Sequence, residues 1–442
     1  MKYFRGLGLL FLVNIIIFFG YMVVYKSYAN IWALKYGSEL SFFLVPTTIF
    51  IAFLVAQIIL NIRGFKEYIL LPLVNFLTCF GFMFLLRLAG GSYQNLGEKS
   101  GNTLFDQYDT HFTSFIIAYI IFLLIIFLIK DYKIFARYKY IVGFLAVGLL
   151  LATSLLGGVV NGQTLSLRLG PVAFQPHELI KLLVAIFIAS YLYDKKELIS
   201  AATGKFGFFT KMDLRYMGPL VAMWLLIMLF IAYHDDLGAA MLLFGIFIAI
   251  IYLGTSRWIY TATGLGLAIL AITIAPIRSS RIQHRINIWL DPFSDAHGSG
   301  YQVVQSLMAV GAGRIFGAGI GNGYPERIPQ IHTDMIYAAL SEDLGLIGMI
   351  VILLVFIVMI SRFFYMGSFV KDNLNKLLLC GFGVIFALQT IVIICGALSL
   401  IPLTGITLPF ISYGGTSLVV NMMIIALTCA FYTQGVKENE TI

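Results

Sequence analysis

Long apolar runs separated by short polar segments dominate the chain of 442 residues. A helix that crosses a membrane needs about 20 mostly apolar residues, and runs of that length recur from one end of the chain to the other. The runs predict twelve helices, at residues 7–25, 42–62, 68–88, 113–130, 140–159, 177–193, 216–233, 237–254, 258–276, 335–361, 377–398 and 407–432. This pattern predicts an all-α polytopic membrane protein with about 10–12 transmembrane helices.

The composition also indicates a membrane protein. Hydrophobic residues make up 60% of the chain and charged residues only 11%, whereas a soluble domain carries about 25% charged residues. The alternating pattern that is typical of a transmembrane β-barrel does not stand out. The four cysteines lie inside apolar runs and form no CxxC pair, so neither a disulfide framework nor a cysteine metal site is indicated.

The positions of the basic residues predict the orientation of the chain. With both termini in the cytoplasm, eighteen of the 29 Lys and Arg residues fall on the cytoplasmic side, ten fall on the outer side, and Lys181 lies within a span. An excess of Lys and Arg is typical of the cytoplasmic side of a membrane protein. Topology therefore explains most of the net charge of +8, and we expect no nucleic-acid partner.

The longest interruption of the apolar pattern is the segment 277–334, which this orientation makes a large extracytoplasmic loop. Half of the ten outer basic residues lie in it, and the positive-inside rule does not explain them. The first three are Arg278, Arg281 and Arg285. No strand signal precedes the glycine-rich stretch 311–323, so we interpret it as flexible or closely packed backbone rather than a nucleotide-binding loop. A second polar segment, 89–112, has the composition of an outer loop.

Several ionisable residues lie within or beside the predicted spans, where a charge is costly unless it is paired or hydrated. Glu178 and Lys181 are three residues apart at the start of the sixth span, so they share a helix face. They can form a local ion pair or the polar wall of a cavity. Asp236 precedes the eighth span, where capping of the helix is an alternative to a functional role. Glu342 and Asp343 lie near the start of the tenth span.

Residues 402–415 are apolar but contain two prolines and three glycines. Such a sequence predicts a broken or re-entrant helix, which a membrane protein tolerates only where the backbone lines a protein cavity. This segment is therefore a further candidate for part of a functional site.

Five motifs give the chain a resemblance to the SEDS family, which includes RodA, FtsW and SpoVE. They are Phe174-Gln-Pro-x-Glu178, Asp236-Leu-Gly, Gly298-Ser-Gly-Tyr-Gln302, His332-Thr-Asp334 and Leu408-Pro-Phe-Ile-Ser-Tyr-Gly-Gly415. The likeness covers residues 140–432, whereas the N-terminal spans in 1–139 carry little motif signal. We treat 1–442 as a single integral membrane domain.

The resemblance implies a peptidoglycan glycosyltransferase in the cytoplasmic membrane of a bacterium. Such proteins polymerise lipid II on the outer face, together with a class B penicillin-binding transpeptidase. The catalytic aspartate of the family precedes Gly-x-Gly-Tyr, a position that Asp295 occupies in this sequence, with Ala296 where proline is usual. Asp291 is the nearest rival carboxylate. The departures at His177 and His234 leave open whether the protein serves elongation, division or sporulation.

Joining two sugars requires a general base for the acceptor hydroxyl and positive charge for the departing diphosphate. We expect Asp295 to be the base. We expect the first three arginines of the outer loop and Lys181 to bind the diphosphate, because a guanidinium matches phosphate oxygens in a bidentate manner. The shared motifs add further candidates for substrate binding: Glu178, Asp236, Gln302, His332, Asp334 and Ser412.

Alternative functions stay open at this point. The protein could flip lipid II without chemistry, serve as a non-catalytic scaffold for a transpeptidase, or act on another lipid-linked sugar. The long polar segment with its carboxylate favours an enzyme over a flippase. No cofactor is firmly predicted. A divalent cation such as Mg²⁺ or Mn²⁺ is common where a diphosphate leaves, but the sequence shows no metal-ligand spacing.

Overall fold

The computed structural model describes residues 6–38, 40–156, 158–160, 163–169, 172–201 and 211–441. Fifteen helices form most of this part of the chain. They are α1 (Leu7–Tyr36), α2 (Leu44–Arg63), α3 (Leu70–Leu96), α4 (Glu98–Leu128), α5 (Lys133–Arg137), α6 (Lys139–Leu156), α7 (Pro176–Ala201), α8 (Lys211–Tyr233), α9 (Leu237–Thr255), α10 (Trp258–Arg278), α11 (Ser280–Leu290), α12 (Tyr301–Gly313), α13 (Ile336–Phe369), α14 (Asn373–Ala397) and α15 (Gly415–Thr441).

Eleven of these helices, within the described residues, are long and apolar enough to cross a membrane. Helix α8 contributes a shorter apolar stretch, Met217–Tyr233. A helix suits the hydrocarbon region because it satisfies every backbone hydrogen bond within the segment. The predicted all-α class and the prediction of about 10–12 spans are confirmed. Three short strands, β1 (Gly158–Val160), β2 (Gln163–Leu169) and β3 (Val172–Phe174), form an antiparallel sheet in the order β1-β2-β3.

The polar segment 89–112 is helical, so the interpretation of its composition as a loop is wrong. Helix α3 continues to Leu96 and α4 begins at Glu98, with the break at Gly97, whose φ is 97°. Polar residues do not stop a helix whose buried face finds partners. The glycines in this region allow such contacts, since a Cβ on Gly90 would lie 2.6 Å from the ring of Tyr28.

The segment 277–334 is folded rather than an open loop. It contains the end of α10, helices α11 and α12, and two 3₁₀ turns, Pro292–Asp295 and Pro325–Arg327. Neither helix was predicted from the sequence, because both are shorter than the run of about 20 apolar residues by which spans were located. Its location outside the cytoplasmic membrane stays a prediction.

Two compact units make up the chain. Unit 1 comprises residues 1–125, 288–362 and 389–425, and unit 2 comprises residues 126–287, 363–388 and 426–442. Within unit 1, α3 is the most buried helix and packs against α1 and α2. Within unit 2, α7 packs against α6, α8 and α9, whereas α10 contacts mainly α9 and buries only Tyr260.

Residues 398–414, between α14 and α15, belong to unit 1 and form no helix. Most side chains from Thr404 to Ser412 are buried. Pro409 lacks a backbone N–H and Phe410 has a φ of 65°, and both properties oppose a continuous helix. The prediction of a span at 407–432 therefore began too early, whereas a helix break within 402–415 is confirmed.

Candidate functional site

The best catalytic candidate, Asp295, lies in a tight turn of unit 1 just before α12. It is exposed and ends the 3₁₀ turn Pro292–Asp295. Its Oδ2 atom accepts hydrogen bonds from the backbone N–H and the hydroxyl of Ser299, both at 2.8 Å. A Cβ on Gly298 would lie 2.5 Å from both carboxylate oxygens, so a side chain there would displace the carboxylate. The carboxylate is therefore held in one direction and remains exposed.

Two hydrogen bonds fix this turn to the end of α14. Before the turn, Trp289 Nε1 donates to the carbonyl of Ser399 at 2.9 Å. After the turn, the buried hydroxyl of Ser306 donates to the carbonyl of Ala397 at 2.8 Å. Residues 397–399 lead into the non-helical segment 398–414. The Asp295 turn and the start of that segment are therefore held at the same end of unit 1.

Three of the predicted motifs come together in unit 1. Gln302 Nε2 donates to the carbonyl of Pro329 at 3.1 Å, three residues before His332. The backbone N–H of Tyr413 donates to the carbonyl of His332 at 2.8 Å, and the two ring centroids are 5.6 Å apart. Burial lowers the pKa of His332 to about 4, so its ring is neutral at pH 7. Asp334 Oδ1 accepts a hydrogen bond from the hydroxyl of Thr333 at 3.0 Å.

Ser412 closes a turn inside the 398–414 segment. Its side chain is buried, and its Oγ accepts a hydrogen bond from the N–H of Leu408 at 2.9 Å, while its own N–H donates to the carbonyl of Leu408 at 3.0 Å. This geometry gives Ser412 a structural task, and its predicted contact with substrate stays a prediction.

A buried ion cluster in unit 1 centres on Arg87, which is one of the ten basic residues that the predicted topology places on the outer side. Arg87 is fully buried in α3. Its Nε lies 2.5 Å from Asp343 Oδ2 and its Nη1 lies 2.9 Å from Glu326 Oε2. Its Nη2 donates to the carbonyl of Gly323 at 2.7 Å, and Asn95 Nδ2 donates to Glu326 Oε1 at 2.5 Å. A lone arginine inside an apolar run was the signal that could have indicated this cluster.

The glycine-rich stretch is closely packed against the start of α13. The N–H groups of Ala318 and Gly319 donate to the carbonyls of Glu342 and Asp343, at 2.8 and 3.0 Å. A Cβ on Gly323 would lie 2.8 Å from a carboxylate oxygen of each of these two acidic residues. Of the two interpretations made from the sequence, the close approach of backbone is the one observed.

In unit 2, Glu178 and Lys181 form the ion pair that their spacing predicts. Lys181 Nζ lies 2.5 Å from Glu178 Oε2, and each side chain is only 1% exposed. His177 Nε2 lies 3.7 Å from the other carboxylate oxygen of Glu178. A buried ion pair costs desolvation free energy, so its presence is weak evidence for stability and is compatible with a functional role.

Asp236 caps α9, because its Oδ1 accepts a hydrogen bond from the N–H of Ala239 at 3.0 Å. A small cavity of about 30 Å³ lies beside it, and His177 and His234 are among its lining residues. His234 Nε2 is 3.1 Å from the hydroxyl of Ser154. The cavity has room for ordered water but not for a sugar.

The three arginines predicted to bind diphosphate lie around the junction of α10 and α11, also in unit 2. Arg278 is the exposed last residue of α10. Arg281 and Arg285 are half-buried and four residues apart on α11, so they share one face of that helix. Two of the three arginines therefore lie on the same face of one helix.

The FtsW/RodA/SpoVE family model, described as cell cycle protein, matches residues 67–434. The chain belongs to this family. The match takes in every predicted site residue and begins well before the first recognised motif. Helices α1 and α2 precede the residues that match the family model.

Named relatives of this family cover most of the chain. Peptidoglycan glycosyltransferase RodA of Mycobacterium tuberculosis H37Rv is 35% identical over 376 residues, which cover 83% of this chain and 79% of the relative. The probable peptidoglycan glycosyltransferase FtsW of Tolumonas auensis is 34% identical over 291 residues, which cover 64% of this chain and 72% of the relative.

Solved structures of family members share the fold. A peptidoglycan synthase complex described as coordinating polymerization and crosslinking contains a chain that matches with a TM-score of 0.65 at 22% identity, covering 83% of this chain and 97% of that chain. The rod shape determining protein RodA of Thermus thermophilus matches with a TM-score of 0.57 at 20% identity, covering 84% and 97%. The similarity supports the arrangement of helices in this FtsW/RodA/SpoVE family member.

Proposed function

We propose that this protein is a peptidoglycan glycosyltransferase that polymerises lipid II into glycan strands at the outer face of the cytoplasmic membrane. Its relatives in the FtsW/RodA/SpoVE family carry that enzyme name. The observation that carries the proposal is the Asp295 carboxylate, which is exposed and held by Ser299 in the segment between two membrane spans.

In the proposed reaction, Asp295 accepts the proton of the acceptor sugar's 4-hydroxyl. The acceptor oxygen then forms a bond to the anomeric carbon of the donor sugar, and the bond from that carbon to the diphosphate oxygen breaks. The diphosphate leaves with the electron pair and needs positive charge. Arg278, Arg281 and Arg285 would bind it, and Lys181 is a further candidate, because cations stabilise the charge that develops on phosphate oxygens.

The other predicted contacts remain part of this proposal. Gln302, His332 and Asp334 lie in the connected motifs of unit 1, where neutral His332 can donate or accept a hydrogen bond from a sugar. At one end of unit 2, Glu178 pairs with Lys181 and Asp236 caps α9. Among the described residues, no group of three or more His, Cys, Asp or Glu side chains is arranged to hold a metal ion, so no step is assigned to a metal.

Polymerisation of purified lipid II in detergent tests the proposal. Asp295→Asn keeps the size of the side chain but removes the base, so we expect the rate to fall by about 10²–10⁴-fold. Asp291→Asn is the matched control, because Asp291 is exposed at the start of the same turn and its side chain does not cap it. Glycan synthesis at a near-normal rate by Asp295→Asn would overturn the assignment.

A lipid II flippase is the second candidate, favoured by the buried Glu178–Lys181 pair and the non-helical segment 398–414 in the membrane region. Detergent micelles offer no membrane to flip across. Glycan strands formed there by the wild-type protein support the enzyme, and their absence with active lipid II and partner supports transport or a scaffold role.

We also propose a class B penicillin-binding transpeptidase as the partner, with both termini of this chain in the cytoplasm. Support comes from the similar chain within a peptidoglycan synthase complex and from the excess of basic residues on the cytoplasmic side. Copurification with the cognate transpeptidase, and labelling of a cysteine added at each terminus in intact and permeabilised cells, test these two points.

A further inference from the structure

A second cavity in unit 2, of about 290 Å³, lies between α7, α9 and the first turns of α14. This volume is close to the lower limit of small-molecule sites, about 300 Å³. The lining residue Tyr193 is 16 positions after His177 along α7, which corresponds to about 24 Å of helix. The cavity is therefore at the opposite end of unit 2 from the Glu178–Lys181 pair, far from every residue of unit 2 assigned to glycan synthesis.

The cavity wall has an apolar part and a polar part. Leu192, Leu253 and Leu377 supply an apolar surface from three different helices. Asn373 and Lys376 supply amide and ammonium donors, and both are exposed at the start of α14. A wall of this kind matches a ligand that joins a hydrocarbon chain to an anionic head group.

The charge around the cavity favours an anion. Within the described part of the chain, the Lys376 ammonium has no side-chain hydrogen bond or ion pair. The nearby carboxylate of Asp194 is already shared between Lys139 and Lys195, at 3.3 and 3.5 Å. Asp372 caps the start of α14, where its Oδ2 accepts from the N–H of Asn375 at 3.0 Å. Because two lysines share the single carboxylate of Asp194, the net charge beside the cavity is positive.

We propose that this cavity binds an anionic phospholipid, with its phosphate at Lys376 and Asn373 and one acyl chain along the leucine wall. A single exposed lysine would hold a free phosphate only weakly, because the ammonium and the phosphate are both well hydrated. Burial of hydrocarbon against the leucines supplies the additional free energy. The site is independent of the proposed glycan synthesis, and its test does not use that activity.

Binding is measured by native mass spectrometry of the full-length protein with phosphatidylglycerol, phosphatidylcholine or inorganic phosphate. Lys376→Glu reverses one charge, and we expect it to weaken phosphatidylglycerol binding by about tenfold or more, whereas Lys376→Arg retains binding. Lys371→Glu is the matched control, because Lys371 is also exposed just before α14 but does not line the cavity. Equal weakening by both charge reversals would overturn the proposal, since it would indicate a general surface charge effect.

Cys380 provides a second measurement at the cavity itself. It lines the cavity and is half-exposed, as is Cys395, whereas the other two cysteines are buried. In a Cys395→Ala variant, phosphatidylglycerol in detergent should slow maleimide labelling of Cys380 several-fold, and phosphatidylcholine should slow it less. Lys376→Glu should remove the protection. Equal protection by inorganic phosphate, or no protection by phosphatidylglycerol, would refute a phospholipid site.

Discussion

Replacing Arg87 by methionine should strongly destabilise unit 1. The substitution keeps an apolar stem of similar length in α3. It removes the cation that pairs with the carboxylates of Asp343 and Glu326, whose side chains are both fully buried. It also removes the donor to the carbonyl of Gly323. Buried carboxylates that lose their cation retain their desolvation cost and lose the attraction that offset it.

The expected loss follows from this burial. Removing one partner of a buried ion pair costs about 3–5 kcal/mol, and two carboxylates are left here, so we expect a value near the upper end. Lys35→Met is the control, because Lys35 and Asp106 form a 2.9 Å ion pair whose side chains are 26% and 71% exposed. Pairs exposed to this extent contribute less than about 1 kcal/mol.

Unfolding of the purified protein in mixed micelles, followed by tryptophan fluorescence as the denaturing detergent is increased, measures both variants. A second comparison separates charge from packing. Combining Arg87→Met with Asp343→Leu and Glu326→Met removes all three charges, and we expect the triple variant to be more stable than Arg87→Met alone. If Arg87→Met lowers the free energy of unfolding no more than Lys35→Met does, the ion cluster does not stabilise unit 1. The same conclusion follows if the loss in the triple variant equals the sum of the separate losses.

Two further predictions concern the candidate site. Gly298→Ala would bring a Cβ to 2.5 Å from both Asp295 carboxylate oxygens, so lipid II polymerisation should fall at least tenfold while thermal stability changes little. The control is Gly311→Ala, where a Cβ would meet no atom within 4 Å, and equal activity of the two variants would contradict this account. Burial lowers the pKa of His332 from 6.5 to about 4, so the unfolded chain takes up the proton first as pH falls. The free energy of unfolding should therefore decrease by roughly 3 kcal/mol as the pH falls from 6.5 to 4. If His332→Asn shows the same dependence on pH as the wild type, another group causes it.

The sequence predicted those features that depend on one segment at a time. Apolar runs located the spans because each must bury about 20 residues in hydrocarbon, and the i,i+3 spacing of Glu178 and Lys181 was sufficient to predict their contact. The helical state of 89–112 was not predictable in this way, because its stability depends on partners in α1 and in the segment before α13. The Arg87 cluster was missed for the same reason, since its carboxylates lie more than two hundred residues away in the chain.

Helix α1, which precedes the family match, also contacts the elements that form this cluster. The ring of Tyr28, on α1, packs over Gly90, one turn from Arg87, and its hydroxyl lies 3.5 Å from the carbonyl of Gly321. Gly321 belongs to the glycine-rich stretch, and two residues later the carbonyl of Gly323 accepts a hydrogen bond from Arg87. Helix α1 therefore contacts both α3 and the glycine-rich stretch that the arginine joins to it, and in this way it supports the segment that leads to His332.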